Sequence, residues 1–467
     1  MKTRIEHDLL GDMEIPDSAW YGIQTQRAID NFVITGVPIS HFPELITALG
    51  MVKQAAAHAN EQTGELGAEK AAAIKAACDD IIEGRLHDQF QVDLIQGGAG
   101  TSTNMNANEV IANLALNKLG YAKGSYSKLH PNNDVNKSQS TNDAYPTAVR
   151  IGIVLASKPL IVAITRLKAA LEAKAEEFSD VLKMGRTQLQ DAVPMTLGME
   201  FEAFAVTLQE DIDRINECAA LLCEVNLGGT AIGTGLNAHP KYAAYAVSFL
   251  AERSGLPVKL ATHLVEATSD MGAFVLFSGL LKRLSVKLSK IANDLRLLSS
   301  GPRTGFGEIQ LPPMQPGSSI MPGKVNPVIP EAVNQVAFQG IGNDLALTMA
   351  AEPGQLQLNA MEPLIAYNIL HSMKMLGSAC EMFERRCIKN IVANREQCKQ
   401  YVESSIGMVT ALVPFIGYEN ASRIAKAALN SNATVKELVL AEGLLSEEQL
   451  NKLLSPEYMV FPQGEKL

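Results

Sequence analysis

Between about residues 141 and 395 the chain is written as a few very long stretches of helical periodicity, roughly 20 to 35 residues each, where an ordinary helix averages about 11–12. The clearest is 271–300, in which Phe277, Leu280, Leu281, Leu284, Leu288, Ile291, Leu295 and Leu298 recur at steps of three and four. Lys282, Lys287 and Lys290 fill the other faces. The segment 158–179 repeats the pattern with Ile161, Ile164, Leu167 and Leu171, and 195–226, 327–352 and 360–389 complete a set of five. Aromatic residues make up only 5% of the chain, and alanine is abundant, which suits close helix–helix packing. The expected fold class is therefore all-α. Apolar stripes of this length exceed what one short N-terminal domain can cover, so the helices are expected to pack against copies of themselves.

The rest of the chain falls into place around that block. At 467 residues it is too long for one compact core. Residues 1–140 mix short helical patterns with Gly- and Asn-rich turns, 141–395 hold the long helices, and 396–467 read as a small helical cap. That cap is expected to run Ser404 to Pro414, Ala421 to Ala428 and Thr434 to Leu438. A net charge of −10 without a basic run excludes a nucleic-acid partner. No charge-free run reaches membrane-spanning length, and the N-terminus carries no apolar signal region, so a cytoplasmic protein with no membrane partner is expected. The six cysteines (Cys78, Cys218, Cys223, Cys380, Cys387, Cys398) lie at no metal-ligand spacing and within helical patterns, as reduced, packed residues would.

Four polar segments interrupt this apolar scheme. Gln96–Glu109 and His130–Asp143 are dense in hydroxyls and amides, Gly185–Ala192 is a shorter version, and Gly317–Pro327 packs Ser318, Ser319, Lys324 and Asn326 between glycines and prolines. Hydroxyls and amides give hydrogen bonds without fixed charge, and a Gly/Pro loop bearing a lysine can close over a small anion. Taken singly, each is also a plausible turn or helix cap: Ser140 or Thr141 precedes a long helix and is placed to cap it. Helix starts in turn present free N–H groups suited to carboxylates.

Together the four segments resemble, in order, the signatures of the fumarase/aspartase superfamily, and Gly-Ser-Ser-Ile-Met-Pro-Gly-Lys-Val-Asn-Pro at 317–327 matches its signature loop at every position. The likeness runs from Arg4-Ile5-Glu6 to the C-terminal cap. Within the superfamily the chain resembles the aspartate ammonia-lyase (aspartase) branch. Ser140-Thr141-Asn142 stands where fumarases carry Ser-Ser-Asn, Gln188 where they carry histidine, and Val328-Ile329-Pro330-Glu331 where they show Thr-Gln-Cys-Glu. His130-Pro131-Asn132-Asn133-Asp134 and Gly301–Gly305 are the more fumarase-like stretches. The resemblance implies a three-domain subunit whose long helices form a twenty-helix core in a homotetramer, with each active site shared among subunits.

The resemblance also assigns roles. Ser318 is implied as the general base, acting as an alkoxide whose pKa is lowered by loop N–H groups and nearby positive charge, Lys324 among its possible sources. Thr101, Ser140, Thr141 and Ser319 are implied to bind the carboxylate that becomes doubly charged, each well-placed donor being worth about 2.7–4 kcal/mol. Lys324, Asn326 and Thr187 would hold the other carboxylate, and Asn142 with Gln188 would face the departing amino group. Glutamine cannot titrate, so no acid pair of residue 188 with Glu331 can operate. The implied reaction is deamination of L-aspartate to fumarate and ammonia, with hydration of fumarate to malate as the alternative and a catalytically silent structural protein as a third reading. No cofactor and no metal site are expected. His130 is weighed between a secondary dicarboxylate site and a turn-stabilising role, and His263 and His371 as packed or surface residues.

Overall fold

The computed structural model describes residues 2–431 and 433–460. The chain is dominated by helices, as its periodicity demands, and the strands are short and paired two by two. It divides into two compact units. One comprises residues 1–161, 213–285 and 338–377, the other 162–212, 286–337 and 378–467.

The first unit opens on an antiparallel hairpin, β1 Thr3–Asp8 and β2 Gly11–Pro16, absent from the sequence expectation. It is followed by α1 Ile23–Asn31, α2 Pro43–Gln62, α3 Ala68–Ile82 and α4 Thr101–Lys118. Helix α2 is buried along most of its length, from Leu45 to Asn60, and packs on α3 and α4. Glu109 of α4, itself buried, accepts N–H bonds from Gly22, Gln24 and Thr25 and so satisfies the start of α1.

The five long helices follow as expected, with shifted ends. Helix α5 spans Thr141–Glu177, 37 residues, and starts well before the periodic stretch at 158 because its first four turns are buried on nearly every side and show no polar face. By length and composition it is apolar enough to cross a membrane, but 72% of its most apolar window is buried within the protein, as in a core helix. After it come the hairpin β3 Leu182–Thr187 and β4 Gln190–Thr196, then α6 Leu197–Leu221. Strand β5 Glu224–Val225 pairs in parallel with β6 Lys259–Leu260, either side of α7 Tyr242–Ser254. Helices α8 Leu264–Ser269 and α9 Gly272–Leu298, strand β7 Ile309–Gln310, and helices α10 Val328–Ala351 and α11 Glu362–Arg386 complete the central part. The boundary between the two units falls inside each of α5, α6, α9, α10 and α11.

In the second unit β7 pairs with β8 Val392–Ala393, and short helices follow: α12 Arg395–Ser404, α13 Met408–Ile416, α14 Tyr418–Leu429, α15 Val435–Ala441, α16 Glu447–Leu453 and α17 Pro456–Val460. Their core is built from Val402, Met408, Leu412, Ile424, Val439 and Leu450, packed with Met184 of β3. The expected helix from Ser404 to Pro414 is broken at 405–407, where Ser405 accepts the Gly407 N–H and donates to Asp191. The last seven residues of the expected cap, 461–467, lie outside the described residues. All six cysteines are buried and free, but Cys223 and Cys387 occupy turns rather than helices.

Candidate active site

In the first unit two helix N-termini meet at a pair of hydroxyls. Thr101 is the first residue of α4 and Thr141 the first of α5, and their hydroxyl oxygens lie 3.3 Å apart. The chain reaches Thr101 through Gly98, Ala99 and Gly100, all with positive φ. Gly100 has no alternative: at φ +91 a Cβ there would lie 2.4 Å from the Tyr145 ring. Ser140 is the N-cap of α5. Its hydroxyl accepts the Asn142 N–H at 3.2 Å, and its own N–H donates to Asp143 at 2.9 Å. Of the two caps left open by the sequence, the structure uses Ser140. That leaves the Thr141 hydroxyl for other partners.

Asp143 holds this corner rigid. It is fully buried and accepts from the N–H groups of Ser140, Gly228 and Thr230, while Asn142 donates its amide to Ala231 O and Asn226 donates to Asn142 O. Burial raises the Asp143 pKa, and those three N–H bonds and the nearby Lys53 charge pull it back. The dipoles of the two helix starts and the paired hydroxyls of Thr101 and Thr141 make this a site suited to a carboxylate.

In the second unit Thr187 and Gln188 occupy the tip of the β3–β4 hairpin, exposed. Thr187 pairs with Gln190, so Gln188 and Leu189 form a two-residue loop, and both take positive φ (+55 and +62) as a type I′ turn requires. Two non-glycine residues held left-handed carry strain of the sort kept at functional positions. Behind the tip, Arg186 pairs with buried Glu308 at 2.6 Å and stacks on the Phe306 ring 4.3 Å away. Lys183, also buried, bridges Glu308 and Glu200.

The signature loop is closed on itself. Asn326 Nδ2 donates to Gly317 O at 2.6 Å, and a Cβ on Gly317 would strike Lys324 O at 2.0 Å, so the neck is as narrow as glycine allows. One Asn326 amide hydrogen is thus used inside the loop. Ser318 is half-buried, and its Oγ accepts the N–H groups of Ile320 (3.2 Å) and Met321 (3.0 Å). Ser319 and Lys324 are exposed.

The ten residues singled out in the sequence therefore group as Thr101, Ser140, Thr141 and Asn142 in one unit and Thr187, Gln188, Ser318, Ser319, Lys324 and Asn326 in the other. Asp143, Asn104 and Lys53 were not anticipated. Asp143 and Asn104 sit inside the polar segments already noted, but Lys53 lies in an alanine-rich helix that gives no signal. His130 stabilises its turn, its Nδ1 accepting the N–H groups of Asn132 and Asn133, and His263 caps α8 in the same manner. His371 stacks on Tyr367. Among the described residues no cluster of His, Cys, Asp and Glu is disposed to hold a metal ion.

Comparison with known proteins places this architecture. Residues 11–342 match the lyase family model and residues 408–460 the fumarase C C-terminus model. The chain belongs to the fumarase/aspartase superfamily of lyases. An aspartate ammonia-lyase of Pseudomonas aeruginosa is 65% identical over 462 residues, 99% of this chain and 98% of its own. A crystal structure of a fumarate lyase:delta crystallin from Brucella melitensis, at 60% identity, superposes with a TM-score of 0.96 over 99% of this chain and 100% of the other. A class II fumarase from Schistosoma mansoni shares the fold (TM-score 0.92, 99% and 100% covered) at 33% identity.

Proposed function

We propose that this carbon–nitrogen lyase removes ammonia reversibly from L-aspartate to give fumarate. High identity to aspartate ammonia-lyases along nearly the full chain supports the substrate, and Gln188 agrees with it. The single observation that carries the mechanism is the Ser318 oxygen, which accepts two backbone N–H groups within the loop. Donors aimed at that oxygen stabilise its negative charge, which is what a serine base needs.

In this reading Ser318 takes the proton from the carbon beside the side-chain carboxylate. The electron pair spreads into that carboxylate, which becomes an enediolate held by Thr101, Ser140, Thr141 and Ser319. Collapse forms the carbon–carbon double bond and breaks the carbon–nitrogen bond. The amino group enters as –NH3+ and leaves as NH3, so it requires no proton from a side chain. Asn142 and Gln188 face it, and Lys324, Asn326 and Thr187 hold the second carboxylate. A malate hydroxyl, by contrast, must be protonated to leave, and glutamine at 188 cannot do that.

The same reading keeps three parts, 1–140, 141–395 and 396–467, and a homotetramer whose subunits share active sites. It is supported by Phe338, Leu345 and Met349, which are 60%, 63% and 67% exposed and lie along one face of α10. Ultraviolet absorbance of fumarate after separate addition of L-aspartate and L-malate tests the substrate. Product from aspartate alone is expected, and product from malate alone overturns the reading. Ser318→Ala should lower turnover at least a thousandfold, on the order of other single-residue losses in a catalytic constellation, with the assembly unchanged.

A further inference from the structure

Beneath the Thr101–Thr141 pair lies a lysine that the reaction as drawn does not use. Lys53 of α2 has no solvent exposure. Its ammonium meets no carboxylate; it donates to Asn104 Oδ1 at 2.6 Å, Gln139 Oε1 at 2.8 Å and Asn136 Oδ1 at 3.0 Å. An ammonium has three protons and accepts nothing, so all three amides must turn their oxygens toward it. Their NH2 groups then face the other way. That of Asn104 points to Asn136 Oδ1 at 3.1 Å and to Thr141 Oγ1 at 3.4 Å. The Gln139 amide is fixed from behind by Val135 O and Lys137 O, and Asn108 adds a further donor to Asn136 Oδ1.

We propose that Lys53 is a positioning residue: by orienting Asn104 it makes the Thr141 oxygen an acceptor from within, so that the Thr141 proton points outward to the substrate carboxylate. The inference rests on the reading of Thr141 as a carboxylate-binding hydroxyl. Neutral Lys53 would present a lone pair to one of the amide oxygens. Relief by turning Asn104 over would aim its oxygen at Thr141 and draw the hydroxyl proton inward. Substrate binding and protonation of Lys53 are thereby coupled.

Burial lowers the Lys53 pKa to about 7, so its charge is held weakly until an anion binds in front of it. The titratable groups acting on it are Asp143 of α5 and the Cys78 thiol of α3, both of which favour the charged form. From α4 and the 136–139 segment it meets only amides, and Arg253 of α7 is engaged instead with Gln54 and Asp79.

The test is the fumarate dissociation constant of the full-length protein between pH 6 and 9, with steady-state kinetics on aspartate alongside. Fumarate carries two negative charges throughout that range. Wild-type affinity is expected to fall as pH rises through about 7. Lys53→Met should bind fumarate roughly ten- to hundredfold more weakly on the acid side and lose the pH step, with the kinetic loss greater in kcat than in KM. A variant that keeps wild-type affinity, or keeps the step, overturns the inference.

Should that variant fail to fold, Asn104→Asp serves instead. It gives Lys53 a counter-charge and replaces the Asn104 donor to Thr141 by an acceptor, so the same weakening is expected and unchanged affinity overturns the inference equally. Wild-type protein that neither binds fumarate nor forms it from aspartate overturns the substrate reading and this inference with it. Wild-type binding beside an unaffected variant overturns the inference alone.

Discussion

Individual residues in this protein are constrained mainly by what they must not do. Gly100 must leave room for the Tyr145 ring at the start of α4, and its positive φ excludes most side chains. Gly100→Ala is expected to destabilise the protein by about 2–4 kcal/mol, combining left-handed strain with overpacking, and to be read as a lower urea midpoint. Glu362 is the mirror case, a buried carboxyl whose two oxygens find no hydrogen-bond partner. Burial raises its pKa to about 8, with the neighbouring Arg150 opposing. The folded state therefore keeps a proton that the unfolded chain releases near its ordinary value of 4.5. Stability from this group is complete below that value and is lost as pH rises toward 8. Glu362→Gln should match wild type near pH 5 and melt higher than wild type at pH 8, with a flatter dependence between. Serine, lysine and asparagine in the 317–327 loop were legible because loop chemistry is local. Lys53 was not, since nothing in an alanine-rich helix says which position will face three amides from elsewhere.

At the scale of elements, the hairpin β3–β4 departs most from what the sequence suggested. Its strands are short, and its tip residues Gln188 and Leu189 lack the Asn-Gly wording of a type I′ turn, so no hairpin signal was readable. Arg186 holds it in place, paired with Glu308 and flanked by the rings of Phe306 and Tyr401. Tyr401 belongs to α12, so the first helix of the C-terminal set helps to fix the strand that carries Thr187 and Gln188. Arg186→Met should cost about 3–5 kcal/mol, because it strips one counter-charge from a fully buried carboxylate. Limited proteolysis should then cut the 187–190 tip faster than in wild type, and KM for aspartate should rise. Equal cleavage rates would count against a supporting role for Arg186. The long helices were legible by contrast. Helix α5 was misjudged most in length, because a helix start buried on all sides has no polar face to mark its period, while the stretches read at 195–226 and 360–389 overran the ends of α6 and α11.

For the molecule as a whole, the exposed stripe on α10 is the feature that supports the proposed assembly. Phe338, Leu345 and Met349 recur at steps of seven and four, the spacing of a packed helix face, yet none is covered within the chain. Sedimentation of the wild-type protein is expected to give an assembly well above the 50.2 kDa chain. Replacing Leu345 and Met349 together by glutamate should shift it to smaller species and abolish activity, if sites are shared between subunits. A variant that dissociates but keeps full turnover would show each chain to be sufficient.

The sequence by itself determined the helical class, the superfamily and the polar segments proposed to bear the chemistry, because apolar period and loop wording are properties of neighbouring residues. Which hydroxyl caps α5, how Ser318 gathers its two N–H donors, and why a buried lysine meets three amides behind Thr141 were decided only by tertiary structure. Those depend on groups brought together from distant parts of the chain. Burial then sets their charge and the direction of their hydrogen bonds, and neither is encoded at any single position.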